Sequence, residues 1–168
     1  GLGSRYEKGI EMERDRLADD VLSLTKLNSD ILDYKAKIER QIPMIADEGK
    51  NRPDEKSKKR VLTYWRDELV SIPVDEIAFL HSQNGLVYVH CLNQKVYNAS
   101  VSLDELFESL DKSIFFRANR QFIISIRSIE KIYRFGNNQL KISTIPAASE
   151  AIIISKNKAA EFKDWLDA

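Results

Sequence analysis

The sequence predicts a mainly β protein: short strands with two short helices, preceded by one long N-terminal α-helix. Three observations carry that expectation. Apolar residues recur at alternating spacings of three and four from Ile10 to Ile45, the period of an amphipathic helix. Beyond Arg60 the apolar runs turn short, β-branched and aromatic, with turn residues between them, the pattern of strands. A polar stretch holding Gly49 and Pro53 separates the two patterns. The chain therefore divides into a helical segment, 1–46, a solvated linker, 47–60, and a β-rich domain, 61–168.

The first segment places Ile10, Arg14, Leu17, Val21, Leu24, Asn28, Ile31, Lys35, Ile38, Ile42 and Ile45 on one heptad seam. Neither Gly nor Pro interrupts it between Gly9 and Pro43, and Pro43 is expected to end the helix. Asn28 and Lys35 share the register of Val21 and Ile42. A lone polar residue at that position fixes register and strand number in coiled coils. The expectation is a parallel two-stranded coiled coil and hence a homodimer, with Leu17, Val21, Leu24, Asn28, Ile31 and Ile38 as its contacts. The alternative is one long helix lying on its own domain or on a domain upstream. In the linker, the basic cluster Lys56 to Arg60 could touch phosphate, but such runs usually serve as soluble linker.

Strands are expected at Val61–Trp65, Leu69–Ile72, Ile77–His81 and Leu86–Cys91. Asn84-Gly85 is the strongest tight-hairpin signal in the chain. Ser102 and Glu105 have capping-box spacing, and Leu103, Leu106, Phe107 and Leu110 give that helix an apolar face. Strands resume at Ile114–Phe116, 121–126, Ile129–Phe135, 139–143 and 151–154, with Gly136-Asn137-Asn138 marking another hairpin. Ser155 is placed to cap a last helix that buries Ala159, Phe162, Trp165 and Leu166.

Composition sets the remaining bounds. The 168 residues are 43% hydrophobic and 31% charged, a globular balance of one domain plus an appendage. Twenty-six bases offset 26 acids, so the whole-chain charge says nothing about a polyanion. The distribution says more. From Asp67 to Asp111 there are eight acids and one base, Lys95; from Lys112 to Lys141 there are seven bases and one acid, Glu130. A segment of one sign that also carries Asn and Gln is an electrostatic footprint for a polyanion. The single cysteine, Cys91, excludes an internal disulfide and fits a reducing compartment, so a cytoplasmic location is expected. The apolar runs are too short to cross a bilayer, no signal peptide is visible, and no membrane partner is expected. The opening Gly-Leu-Gly-Ser lacks a methionine, which points to a fragment.

Within the basic segment, Phe115-Phe116-Arg117-Ala118-Asn119-Arg120-Gln121-Phe122-Ile123-Ile124 sets four polar side chains between residues suited to a core. Arg, Asn and Gln match guanine and adenine edges. From spacing alone, a charged turn between two buried strands is the better reading. Together with Asp75-Glu76-Ile77-Ala78, Ser102-Leu103-Asp104-Glu105-Leu106, Ile129-Glu130-Lys131-Ile132 and Ile154-Ser155-Lys156, however, the stretch resembles the LytTR family, the DNA-binding domains of bacterial response regulators. The resemblance covers about Val61 to Asp167. It implies an elongated β sandwich whose loops enter successive major grooves, with Asn119 and Arg120 on a DNA-facing loop. It also implies a second contact at Lys156, where many members carry Arg, and a third at the Asn84-Gly85 turn. Many relatives have His where this chain has Asn119. A receiver or sensor domain is expected upstream.

The residues themselves support double-stranded DNA as the partner. Arg120 can chelate a guanine edge or hold a phosphate, and a good base contact is worth about 1–3 kcal/mol of discrimination. Lys156 follows the cap residue Ser155, where free backbone N–H groups favour a phosphate. Arg117 is divided between DNA and an ion pair with the acidic segment. The candidate DNA-binding set is Asn84, Arg117, Asn119, Arg120, Gln121, Ser155 and Lys156.

Enzymatic readings find little support. His81, His90 and Cys91 lack metal-ligand spacing, and adjacent His90 and Cys91 point to opposite faces of a strand. No phosphate-cradling glycine loop occurs, and Asp104 and Glu105 suit the first turn of a helix. No catalytic residue, metal or cofactor is expected. The sequence thus reads as the effector part of a transcriptional regulator. A protein-interaction module with no DNA-binding activity is the alternative.

Overall fold

The computed structural model describes residues 24–40 and 58–167. Residues 24–40 form a helix, α1. The strands are β1 (Arg60–Trp65), β2 (Glu68–Pro73), β3 (Ile77–Gln83), β4 (Leu86–Cys91), β5 (Val96–Ala99), β6 (Phe115–Arg117), β7 (Phe122–Ser125), β8 (Ile129–Phe135), β9 (Gln139–Thr144) and β10 (Ile152–Ile154). Helix α2 (Leu103–Ser109) follows β5, and α3 (Lys156–Asp167) follows β10. The mainly β class is borne out. All pairings are antiparallel: one sheet has the order β2-β1-β5-β4-β3-β7-β6 and the other β10-β9-β8.

The larger sheet separates two cores. Its central strands are covered on both faces, which is why Phe122-Ile123-Ile124 is an unbroken apolar run. Phe122 and Ile124 face the smaller sheet and α3, whereas Ile123 faces the core capped by α2. A register shift between Ile77 and Phe79 puts Ala78 and Phe79 into the first core and Ile77 and Leu80 into the second.

The helix ends follow from local chemistry. The Ser102 hydroxyl accepts from the Glu105 amide at 3.2 Å and starts α2. Lys112 Nζ donates to the carbonyls of Phe107 and Glu108 at 3.0 and 3.2 Å, capping its C-terminus. Ser155 is the cap residue expected for α3, its hydroxyl accepting from the Lys158 amide at 3.3 Å. Trp165 of α3 stacks on Phe116 and donates its indole N–H to the Lys112 carbonyl at 2.7 Å.

Helix α1 lies on the chain's own β domain. Leu27, Ile31, Tyr34 and Ile38 are buried in the core of the smaller sheet and α3, with Leu24 packed at its margin. Asn28 sits against the free edge of β8: its Nδ2 donates to the Ile132 carbonyl at 3.1 Å, and its Oδ1 accepts from the Ile132 amide at 2.8 Å. The Tyr34 hydroxyl donates to the Ser113 carbonyl. Glu39 receives both Nε and Nη2 of Arg127 at 2.8 and 3.0 Å. Of the six residues expected to pair two chains, Leu24, Asn28, Ile31 and Ile38 therefore face this domain, while Leu17 and Val21 lie outside the described residues. So does most of the expected linker; from it, Lys58 donates its amide to the Ser109 carbonyl, and β1 begins at Arg60.

Candidate nucleic-acid interface

The β6–β7 connection, residues 118–121, is fastened before it presents anything. The Arg117 guanidinium donates to the carbonyls of Asn119 at 2.7 Å and Arg120 at 2.9 Å, and to Asp104 Oδ1 at 2.7 Å. Asp104 stands in the first turn of α2, so Arg117 ties the loop to that helix. Asn119 turns inward. Its Oδ1 accepts from the amides of Gln121 at 2.8 Å and Phe122 at 3.0 Å, an Asx-type turn. Its Nδ2 donates to the Ile153 carbonyl on β10 at 2.9 Å. Arg117 and Asn119 thus use their polar atoms inside the fold. Arg120 and Gln121 are the exposed side chains of the loop, and the Arg120 guanidinium has no hydrogen-bond or ionic partner among the described residues.

Two further tips flank this loop. On one side the Ser82 amide donates to the Gln121 carbonyl at 2.8 Å, so β3 carries its hairpin turn past the loop. Asn84 and Gly85 make that turn at φ +54° and +77°. Positive φ at both central residues is the two-residue turn whose twist suits a hairpin, and Asn-Gly adopts it readily. Asn84 is exposed at its apex. On the other side the Asn119–Ile153 bond sets the loop beside the end of β10, and β10 runs into Ser155 and α3. Arg120, Ser155 and Lys158 line one open groove together with Gln139 of β9.

The helix end has a favourable field for an anion. No acid occupies the first turn of α3, whereas α2 has Asp104 and Glu105 there. Lys156 is exposed beside the first-turn amides of α3. The positive end of the helix dipole and its unbonded amides act in the same direction as that ammonium. A second groove joins Lys156 and Lys163 to Arg134 and Asn138 at the β8–β9 hairpin, with Leu24 of α1 as part of its wall.

The sequence-predicted residues therefore sort into two groups. Asn84, Arg120, Gln121 and Lys156 are exposed at neighbouring tips, with Ser155 fixing the helix start. Arg117 and Asn119 form the brace behind them. Sequence reasoning did not single out Gln139 or Lys158. The signals were present, since Gln139 follows the Gly136-Asn137-Asn138 turn and Lys158 follows the cap residue. Away from these tips, His90 and Cys91 take opposite faces of β4: His90 stacks on Phe79, and Cys91 is buried in the α2-side core. Burial pushes the Cys91 thiol up to about 11, the reverse of what a nucleophile needs.

No curated protein matches this sequence. Among solved structures, a LytTr DNA-binding domain from Bacillus cereus, described as part of a methyl-accepting/DNA response regulator, is similar in fold. The TM-score is 0.59 at 23% identity, and the match covers 67% of this chain and all of that one. The family model for the LytTr DNA-binding domain matches residues 67–167. That span takes in the Asn84-Gly85 hairpin, the braced loop and the start of α3, and the chain belongs to the LytTr DNA-binding domain family.

Proposed function

We propose that this chain binds specific sequences in double-stranded DNA as the effector part of a bacterial transcriptional regulator, in the cytoplasm and within a two-component system. The observation that carries the reading is the braced loop. Arg117 and Asn119 immobilise its backbone and leave Arg120 free, next to a helix end that attracts phosphate. Fixing the groups in advance limits the ordering cost of binding. Arg120 is assigned to a base edge, where its planar fork suits guanine. Lys156 and the first-turn amides of α3 are assigned to a backbone phosphate, which sets position without reading sequence. Asn84 and Gln121 extend the contact on the hairpin side, and Ser155 serves by capping α3. Arg117 and Asn119 are positioning residues.

Selection from random duplexes, followed by titration at two salt concentrations, tests the proposal. A preferred sequence is expected, bound more weakly as salt rises in proportion to the phosphates contacted. Arg120→Ala is expected to cost about 1–3 kcal/mol on that sequence and relax preference at one base position. Lys156→Ala is expected to weaken all duplexes alike and reduce the salt slope by about one. Enrichment of no sequence, with salt-independent retention, would refute the reading.

A further inference from the structure

We infer that α1 has two mutually exclusive partners, its own β domain and the α1 of a second copy of this chain, and that release from the first permits pairing through the second. In heptad terms Leu24, Ile31 and Ile38 are d positions, Asn28 and Lys35 are a positions, and Leu27 and Tyr34 are g positions. The docked face is centred on d and g: Ile31 and Ile38 are 1% and 3% exposed, and Leu27 and Tyr34 are both 5%. Asn28 and Lys35 lie half-buried along its margin. A two-stranded coil buries a and d instead. The d residues belong to both faces and can serve one at a time.

Two features fit a helix built for both states. The spacing of three and four continues in the sequence to Val21 and Leu17, extending the seam upstream of the docked stretch. Asn28 is suited to either partner. Docked, its amide pairs with both backbone groups of Ile132 on an otherwise open strand edge. In a seam, a lone Asn at an a position specifies two strands and register at a cost in stability. The polar clamps that hold the docked state include the Asn28–Ile132 pair, the Tyr34–Ser113 bond and the Glu39–Arg127 pair. Exchange also reaches the DNA-facing edge, because Leu24 and Leu27 form part of the groove beside Lys156.

Sedimentation velocity on the full chain, across a concentration series, reads the exchange in two variants. Arg127→Ala removes a clamp from the β domain and leaves the helix sequence intact. Asn28→Ile removes the edge pairing while giving the seam an apolar a residue. Because pairing draws on the undocked fraction, each is expected to raise the association constant at least about tenfold. In the Arg127→Ala dimer the Ile132 amide is expected to lose its hydrogen-exchange protection, since Asn28 has left it. Variants that sediment as the wild type does would overturn the inference. So would dimers in which Ile132 stays protected, because α1 would then still be seated on a β domain, its own or a swapped one. Should Asn28→Ile fail to fold, Arg127→Ala decides alone.

Discussion

Asn119 shows how one side chain turns a loop into a platform. Its amide closes the turn with two acceptor contacts and reaches β10 with a donor contact. Asn119→Ala removes all three and is expected to lower stability by about 1–3 kcal/mol in urea unfolding. The same change is expected to weaken binding to every duplex alike, because it loosens the platform without removing a contact to a base. That inward role had a trace in the sequence, since Asn commonly bonds the backbone two residues on. Its bond to Ile153 had none, as it spans 34 residues. Arg117 was likewise open between two roles, because a string of acids does not reveal which carboxylate the fold brings near; it proves to be Asp104. His90 supplies a pH prediction. Burial, followed by the nearby His81, lowers its pKa from 6.5 to about 4. The unfolded chain therefore binds more protons than the folded one between those values, so stability falls as pH drops from about 6.5 towards 4. Glu39, held below its usual 4.5 by the Arg127 hydrogen bond, adds a loss only at lower pH. Melting temperature followed against pH should fall in the first window, and His90→Phe should flatten that part of the curve.

Among the elements, those with chemical punctuation were legible. Ser102 and Ser155 mark the starts of α2 and α3, and Asn84-Gly85 marks its hairpin. Strand β5 was missed because Val96–Ala99 is short and contains Asn98; it is held by four registered pairs with β4 rather than by propensity. Helix α1 is the more instructive case. Its a and d spacing suggested a partner helix, yet Leu27 and Tyr34 at g widen the apolar stripe. A stripe of a, d and g is the mark of a helix facing a core, whereas a strict a and d stripe marks a coil. The cost of disturbing this docking is measurable. Ile31→Ala, at a site 1% exposed, should lower unfolding free energy by about 2–5 kcal/mol and shift the urea midpoint. An unchanged midpoint would mean that the helix adds nothing to the fold.

At the scale of the whole molecule, the segregated charge proves to be two things at once. Lys112 caps α2, Arg117 braces the loop and Arg127 pairs with Glu39, so at least three of the seven bases from Lys112 to Lys141 hold the fold together. Arg120 stands at the exposed tip, and Lys156, outside that segment, stands at the start of α3. Charge counting along the sequence thus overstated how much of that segment is left over for a polyanion. The mainly β class could be read from periodicity and turns alone. The alignment of three tips could not, because it depends on two contacts made across the fold, Ser82 to Gln121 and Asn119 to Ile153. Hydrogen exchange with and without a selected duplex tests that alignment most directly. Protection is predicted at residues 84–85, 118–121 and 155–158 together; protection confined to β1 and β2 or to the outer face of α1, with the three tips unchanged, would contradict it.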